Sequence, residues 1–235
     1  MKTLNRILNP AESIIAVTKK LEEKKKFAYV NISRSAINAV TNNAEKKPPK
    51  SILRAVSNCI AINDRDFLKA VPDEFSLDIQ SGRFDSIGLT QDGTYYDAAM
   101  FEYYFSNKKE VIDIFINRYI KESSNVILTF HDEKTVKKMF GQNQHVITVP
   151  YNNYYDKLDS IALQVSEFND SVDSCILDCP MLATAIAPKI WSDTNMSIID
   201  FGRVVSSAKF IANQERPKSF REDSKKGYKK PYEKR

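Results

Sequence analysis

The sequence predicts an α/β fold of Rossmann-like type, a mainly parallel sheet flanked by helices, and three observations carry that expectation. Short apolar runs alternate with amphipathic stretches of helical spacing, the rhythm of βαβ crossovers. The 235 residues, 42% of them hydrophobic, are enough to bury one substantial core. Only six glycines are present, and Gly82, Gly88 and Gly93 cluster in one loop-like region. The chain divides into an N-terminal helix (1–26), a Rossmann-like domain (27–213) and a basic, flexible C-terminal tail (214–235).

Residues 10–24 place Ile14, Ile15, Val17 and Leu21 at near-helical spacing and end in Lys24-Lys25-Lys26, which suits the negative pole of a helix. Residues 27–32 are strand-like. Ser33 is a candidate cap for a helix over 34–45, stopped by Pro48-Pro49. A helix over 51–58 leads into Cys59-Ile60-Ala61-Ile62, an apolar run expected to be a buried strand ending in Asn63-Asp64-Arg65-Asp66. A short strand is expected over 86–89. Two aromatic-rich helices follow, over 95–105 and 108–121, whose rings suit helix packing. Beyond them strands over 125–130, 145–149, 173–177 and 196–199 alternate with helices over 132–140, 154–168 and 181–191. Pro188 should kink or shorten the last of these. Asp200-Phe201-Gly202 then turns into a final helix ending near Asn213.

Nine of the 35 Lys and Arg residues but four of the 30 acids lie in 214–235, which leaves 26 of each before it, so the whole net charge of +5 sits in the tail. Aromatic residues Phe220, Tyr228 and Tyr232 stand among its cations. Such a segment cannot bury enough apolar surface to offset its ordering entropy. Its lysines, Lys225, Lys226, Lys229 and Lys230 among them, suit a nucleic-acid backbone with rings stacking on bases; a merely solubilising terminus is the plainer alternative. No run approaches the length of a membrane span and the first residues lack a signal-peptide core, so a cytoplasmic protein is expected. Cys59, Cys175 and Cys179 form no Cys-x-x-Cys pair, which speaks against a disulfide framework or a structural zinc site. No Walker loop or Gly-x-Gly-x-x-Gly is present, so ATPase and dinucleotide-dehydrogenase readings lose support.

In an open parallel sheet ligands bind beyond the carboxyl ends of the strands, so the residues there are the candidates. Asp64 and Asp66, two hard oxygen donors after an expected strand, are a candidate divalent-cation pair, with helix capping as the commoner role. Ser33-Arg34-Ser35 can meet a phosphate or simply cap a helix. His131, beside Asp132, is the better placed of the two histidines to act as a general base, against the plainer reading of a surface histidine. Cys179 is expected to be a buried small side chain rather than a reactive thiol.

Three segments resemble the GT-D type of glycosyltransferase fold of bacterial sugar transferases and related phage proteins. They are Val146-Ile147-Thr148-Val149-Pro150-Tyr151-Asn152-Asn153-Tyr154-Tyr155-Asp156, Cys175-Ile176-Leu177-Asp178-Cys179-Pro180, and Ser197-Ile198-Ile199-Asp200-Phe201-Gly202-Arg203-Val204 with its closing Asp-x-Gly. The resemblance covers 27–212. It implies a sugar-nucleotide-dependent transferase, acting on nucleic acid if the tail is a guide, with a nucleotide sugar as partner. Arg34, Asp64, Asn153 and Asp200 would then bind the donor, and Asp66 or His131 would take the acceptor proton. The family's first strand is followed by an Arg-x-Gly-Asp-Gly-Glu-like segment whose acids bind metal and sugar nucleotide. Here Asn31-Ile32-Ser33-Arg34-Ser35-Ala36 puts Arg34 and Ala36 at the acidic positions. Three readings stay open: Asp64 and Asp66 take over the cation, Arg34 neutralises the diphosphate without metal, or the fold survives as a non-enzymatic viral or phage scaffold that binds nucleic acid or a virion component.

Overall fold

The computed structural model of the chain describes residues 7–44, 48–150 and 154–205. Helix α1 (Pro10–Glu22) begins at a capping box: Asn9 Oδ1 accepts from the Glu12 amide and the Glu12 carboxylate accepts from the Asn9 amide, both at 3.0 Å. Strand β1 (Ala28–Asn31) runs into α2 (Arg34–Val40), where the Ser33 hydroxyl accepts from the Ala36 amide. Helix α3 (Lys50–Ala61), β2 (Phe67–Val71), the short α4 (Ser76–Gln80) and β3 (Tyr96–Asp97) complete the first half. The second half opens with α5 (Met100–Asn107) and α6 (Lys109–Phe115), which continues as a π-helical turn over Ile116–Lys121. Then come β4 (Asn125–Thr129), α7 (Glu133–Phe140), β5 (His145–Thr148), α8 (Leu158–Ser166), β6 (Ser174–Asp178), α9 (Leu182–Asp193) and β7 (Ser197–Asp200).

The seven strands form one sheet in the order β3-β2-β1-β7-β6-β4-β5, with every pairing parallel. The two-residue period of a strand sorts its side chains between two cores. Ala28, Val30, Val126, Leu128, Cys175, Leu177 and Ile198 face a layer made by α2, α3, α8 and α9. Tyr29, Ile127, Ile176 and Ile199 face a layer of α1, α5, α6 and α7. The N-terminal helix packs into that second layer through Ile14 and Val17. Two-sided cover of an all-parallel sheet is the predicted α/β class.

Several local expectations are corrected. Cys59 to Ala61 is the last turn of α3, not a strand: Ile52, Val56, Cys59 and Ile60 share one buried helical face. The strand comes later, at β2, where Lys69 interrupts the apolar run. Its ammonium donates to the carbonyls of Ile60 at 2.8 Å and Gly88 at 3.4 Å. The strand expected over 86–89 is a 3-10 turn at Asp85–Ile87 closed by Gly88 in the left-handed region. Residues 96–97 pair as β3 instead of opening a helix. Helix α9 runs through Pro188 without ending. The basic tail and the final helix beyond residue 205 lie outside the described residues.

Candidate active site

Four neighbouring central strands, β1, β7, β6 and β4, end in Asn31, Asp200, Asp178 and Thr129. Their chains leave in alternate directions. After β1 and β6 the chain turns to the layer of α2 and α9, whereas after β7 and β4 it turns to the opposite layer through Phe201, Val204 and α7. Adjacent strands whose continuations part to opposite faces leave a crevice between them, the usual ligand position in this class of sheet.

Polar groups converge on that crevice. Asp200 is buried, and its two oxygens accept from the Asn31 amide at 3.0 Å and the Gly202 amide at 2.9 Å. Gly202 has φ 66, a left-handed turn that glycine adopts without strain. Phe201 anchors the turn from the other side by stacking on Phe101, with ring centroids 4.1 Å apart. Asp178 is equally buried; Oδ2 accepts from the Thr129 hydroxyl at 2.9 Å and Oδ1 from the Val205 amide at 3.3 Å. The Thr129 oxygen also accepts from the His131 amide at 3.1 Å. This brings His131 Nε2 to 3.8 Å from Asp178 Oδ2, with 18% of the histidine side chain exposed against 1% of the aspartate.

Burial pushes the Asp178 carboxyl up to about 8, against the lowering bonds from Thr129 and Val205, and with Asp200 and Glu102 adding repulsion. Burial likewise raises Asp200 to about 7, with the Gly202 and Asn31 amides opposing and Glu102 adding to the rise. Glu102, on α5, is thus the third acid felt at this spot. Met181, between β6 and α9, holds φ 48, a positive backbone angle unusual for a side-chain-bearing residue.

Of the residues the sequence singled out, Asp200 and His131 reach this crevice. Asp64 and Asp66 do not: because β2 begins at Phe67, they precede their strand and lie at the amino edge of the sheet, where the Asp66 carbonyl accepts from the Ala28 amide. Asp66 pairs with Lys20, which lowers its pKa, and Asp64 Oδ1 accepts from the Asp66 amide. A catalytic Asp66 and a cation held by this pair are therefore corrected. Arg34 is at the carboxyl edge, but its guanidinium forks onto Glu74, just past β2; that hydrogen bond raises its pKa. Among the described residues no group of three or more His, Cys, Asp or Glu side chains is placed to hold a metal ion. The residues present do not fit the cation the resemblance implied. Cys179 is fully buried, and burial pushes its thiol up, the environment of a packed small side chain. Asn153, Lys225, Lys226, Lys229 and Lys230 lie outside the described residues. Surface cavities of about 340 Å³ (Ala55, Leu158, Lys189) and about 310 Å³ (Ile14, Val111, Tyr119) are lined by none of the crevice residues. Glu102 escaped the sequence reading, Asn31 entered it without a role, and Thr129 and Asp178 were seen as strand-end residues without a role.

The architecture has solved counterparts. A structure described as a new glycosyltransferase (DUF1792) from Streptococcus sanguinis matches with a TM-score of 0.69 at 14% identity, over 91% of this chain and 87% of that one. The chain is similar in fold to the DUF1792 glycosyltransferases. Two further structures of domain of unknown function 1792, one described as having a distinct glycosyltransferase fold, match with a TM-score of 0.66 at 13% identity over 89% of this chain and 82% of theirs. No family model and no curated protein matches the sequence. At this identity the DUF1792-like likeness speaks for the fold, and the chemistry has to be argued from the crevice itself. Among the described residues no helix of this glycosyltransferase-like fold is long and apolar enough to cross a membrane.

Proposed function

We propose that the protein transfers a sugar from a nucleoside diphosphate donor to an acceptor hydroxyl at the carboxyl edge of β1, β7, β6 and β4. The observation that carries this reading is the His131–Asp178 pair, a partly exposed base beside a buried acid, set at the crevice of a glycosyltransferase-like fold. In the step envisaged, His131 accepts the acceptor hydroxyl proton as that oxygen bonds to the anomeric carbon. The bond from that carbon to the diphosphate breaks, and its electron pair leaves with the phosphate. Asp178 stands behind the imidazole; burial raises its carboxyl to about 8, so near pH 7 it keeps its proton and gives the histidine a polar neighbour rather than an anionic one. Arg34 meets a diphosphate only by exchanging its partner Glu74. The excess of cations in 214–235 supports an anionic macromolecule such as nucleic acid as the acceptor, approached through Lys225, Lys226, Lys229 and Lys230.

The test is a thermal-shift and transfer survey of nucleoside diphosphate sugars. A ligand present at one hundred times its dissociation constant stabilises the folded state by about 2.7 kcal/mol, a shift easily read. Stabilisation by one donor, with release of its diphosphate in the presence of acceptor, is the expected result. Silence of the intact protein across uridine, guanosine and thymidine diphosphate sugars, with and without Mn²⁺, would overturn the reading.

A further inference from the structure

The crevice contains an unbalanced hydrogen-bond account. Among the described residues, Asn31 Oδ1 is a buried side-chain oxygen with no donor. The rest of Asn31 is engaged: its amide and Nδ2 donate to Asp200, and its carbonyl accepts from the Thr184 hydroxyl at 2.8 Å. The backbone donors nearby are spent on Asp200 and Asp178. An enclosed acceptor without a donor costs about 1–3 kcal/mol, so beside a crevice Asn31 Oδ1 is a place for a donor from outside the chain, a water or a ligand hydroxyl that displaces it.

The surroundings define that partner. A side-chain carbon at Gly202 would stand 3.3 Å from Asn31 Nδ2 and 3.7 Å from Glu102 Oε1, so the bare glycine keeps these two polar groups facing one narrow space. Glu102 in turn acts on both Asp178 and Asp200. The groups named here are acids and an amide with no cation among them, so they offer a phosphate no counter-charge, and the absence among the described residues of a metal-holding grouping speaks against a bound cation. What fits is a neutral group rich in O–H donors. We propose that Asn31, Glu102 and the bare backbone of Gly202 form the subsite that holds hydroxyls of the transferred sugar, with Asn31 Oδ1 accepting from one of them. This rests on the transferase reading and deepens it: the sugar lies over β1 and β7, and the diphosphate lies away from the acids.

The test is calorimetric titration of the intact protein with UDP, GDP and dTDP and with UDP-glucose, GDP-mannose and dTDP-glucose. The wild type should bind one conjugate about ten-fold more tightly than its diphosphate, the increment of one or two hydrogen bonds to charged or buried acceptors. In Glu102→Gln, which keeps shape, and in Asn31→Ala that increment should shrink to about two-fold or less, with diphosphate affinity held. An undiminished increment in both variants overturns the subsite, as does a diphosphate affinity that falls by the same factor as the conjugate. A wild type that binds a diphosphate with no gain from the sugar removes the subsite and leaves the transferase reading standing. A wild type that binds none of the six removes both.

Discussion

The His131 backbone and the Asp178 carboxyl meet on a shared hydroxyl: Thr129 accepts from the His131 amide and donates to Asp178. Replacing His131 by alanine should lower turnover by about 10²–10⁴-fold, the usual worth of a positioned base, with little change in donor affinity; steady-state kinetics on the transfer reaction will read it. Asp66→Asn should leave turnover unchanged, because its carboxylate serves Lys20 at the opposite edge, and should cost about 1 kcal/mol or less in urea denaturation. Strand-end position was enough to place His131 and Asp200 at the carboxyl edge of the sheet from the sequence. Asp64 and Asp66 were misplaced because a strand was expected one element too early, and parallel strands turn such a shift into a move from one edge of the sheet to the other. Asn31 and Glu102 carry no motif, and only three-dimensional proximity reveals them.

The helix–strand error around residue 60 has a physical cause. Cys59-Ile60-Ala61-Ile62 is a continuous apolar run, which a buried strand and the end of a buried helix share equally. The spacing of Ile52, Val56, Cys59 and Ile60 favours the helix once all four are considered together. β2 was hidden by Lys69, a charge in the middle of a strand, yet that lysine is what fastens α3 to the sheet through the Ile60 carbonyl. Burial lowers its pKa, so its retention reflects those carbonyl contacts. Lys69→Met should destabilise the fold by about 1–3 kcal/mol, because methionine fills the space but leaves the carbonyls unmatched; chemical denaturation at pH 7 checks it. The regular second half, from β4 onward, was legible because its strands have apolar centres (Val126-Ile127-Leu128, Val146-Ile147, Cys175-Ile176-Leu177, Ile198-Ile199) and its turns carry Asp, Gly or Pro.

Over the whole molecule the two buried acids leave a signature in stability. Both have folded pKa values raised above the roughly 4 of an unfolded aspartate, so between that pH and 7–8 the folded chain keeps protons that the unfolded chain has lost. Their contribution is therefore complete below pH 4 and drains away as the pH climbs through 8. Within the pH range where other groups are quiet, melting should be higher at pH 5 than at pH 8 by about 3 °C or more, and Asp178→Asn should flatten the slope. Retention on single-stranded DNA should fall steeply with salt and vanish when 214–235 is deleted; equal retention by the shortened protein would separate the tail from the acceptor.

Strand β1 lies beside β7, and the Phe27 amide reaches the Ser197 hydroxyl across 170 positions of sequence. On the ribosome, the first described strand must wait with one flank bare until the last described strand emerges. The crevice is thus the final part of the sheet to close, and its construction is governed by slow, long-range pairing. Newly made chains halted short of β7 would expose the unpaired backbone edge of β1, a natural handle for chaperones, and would gain their binding capacity in a single late event.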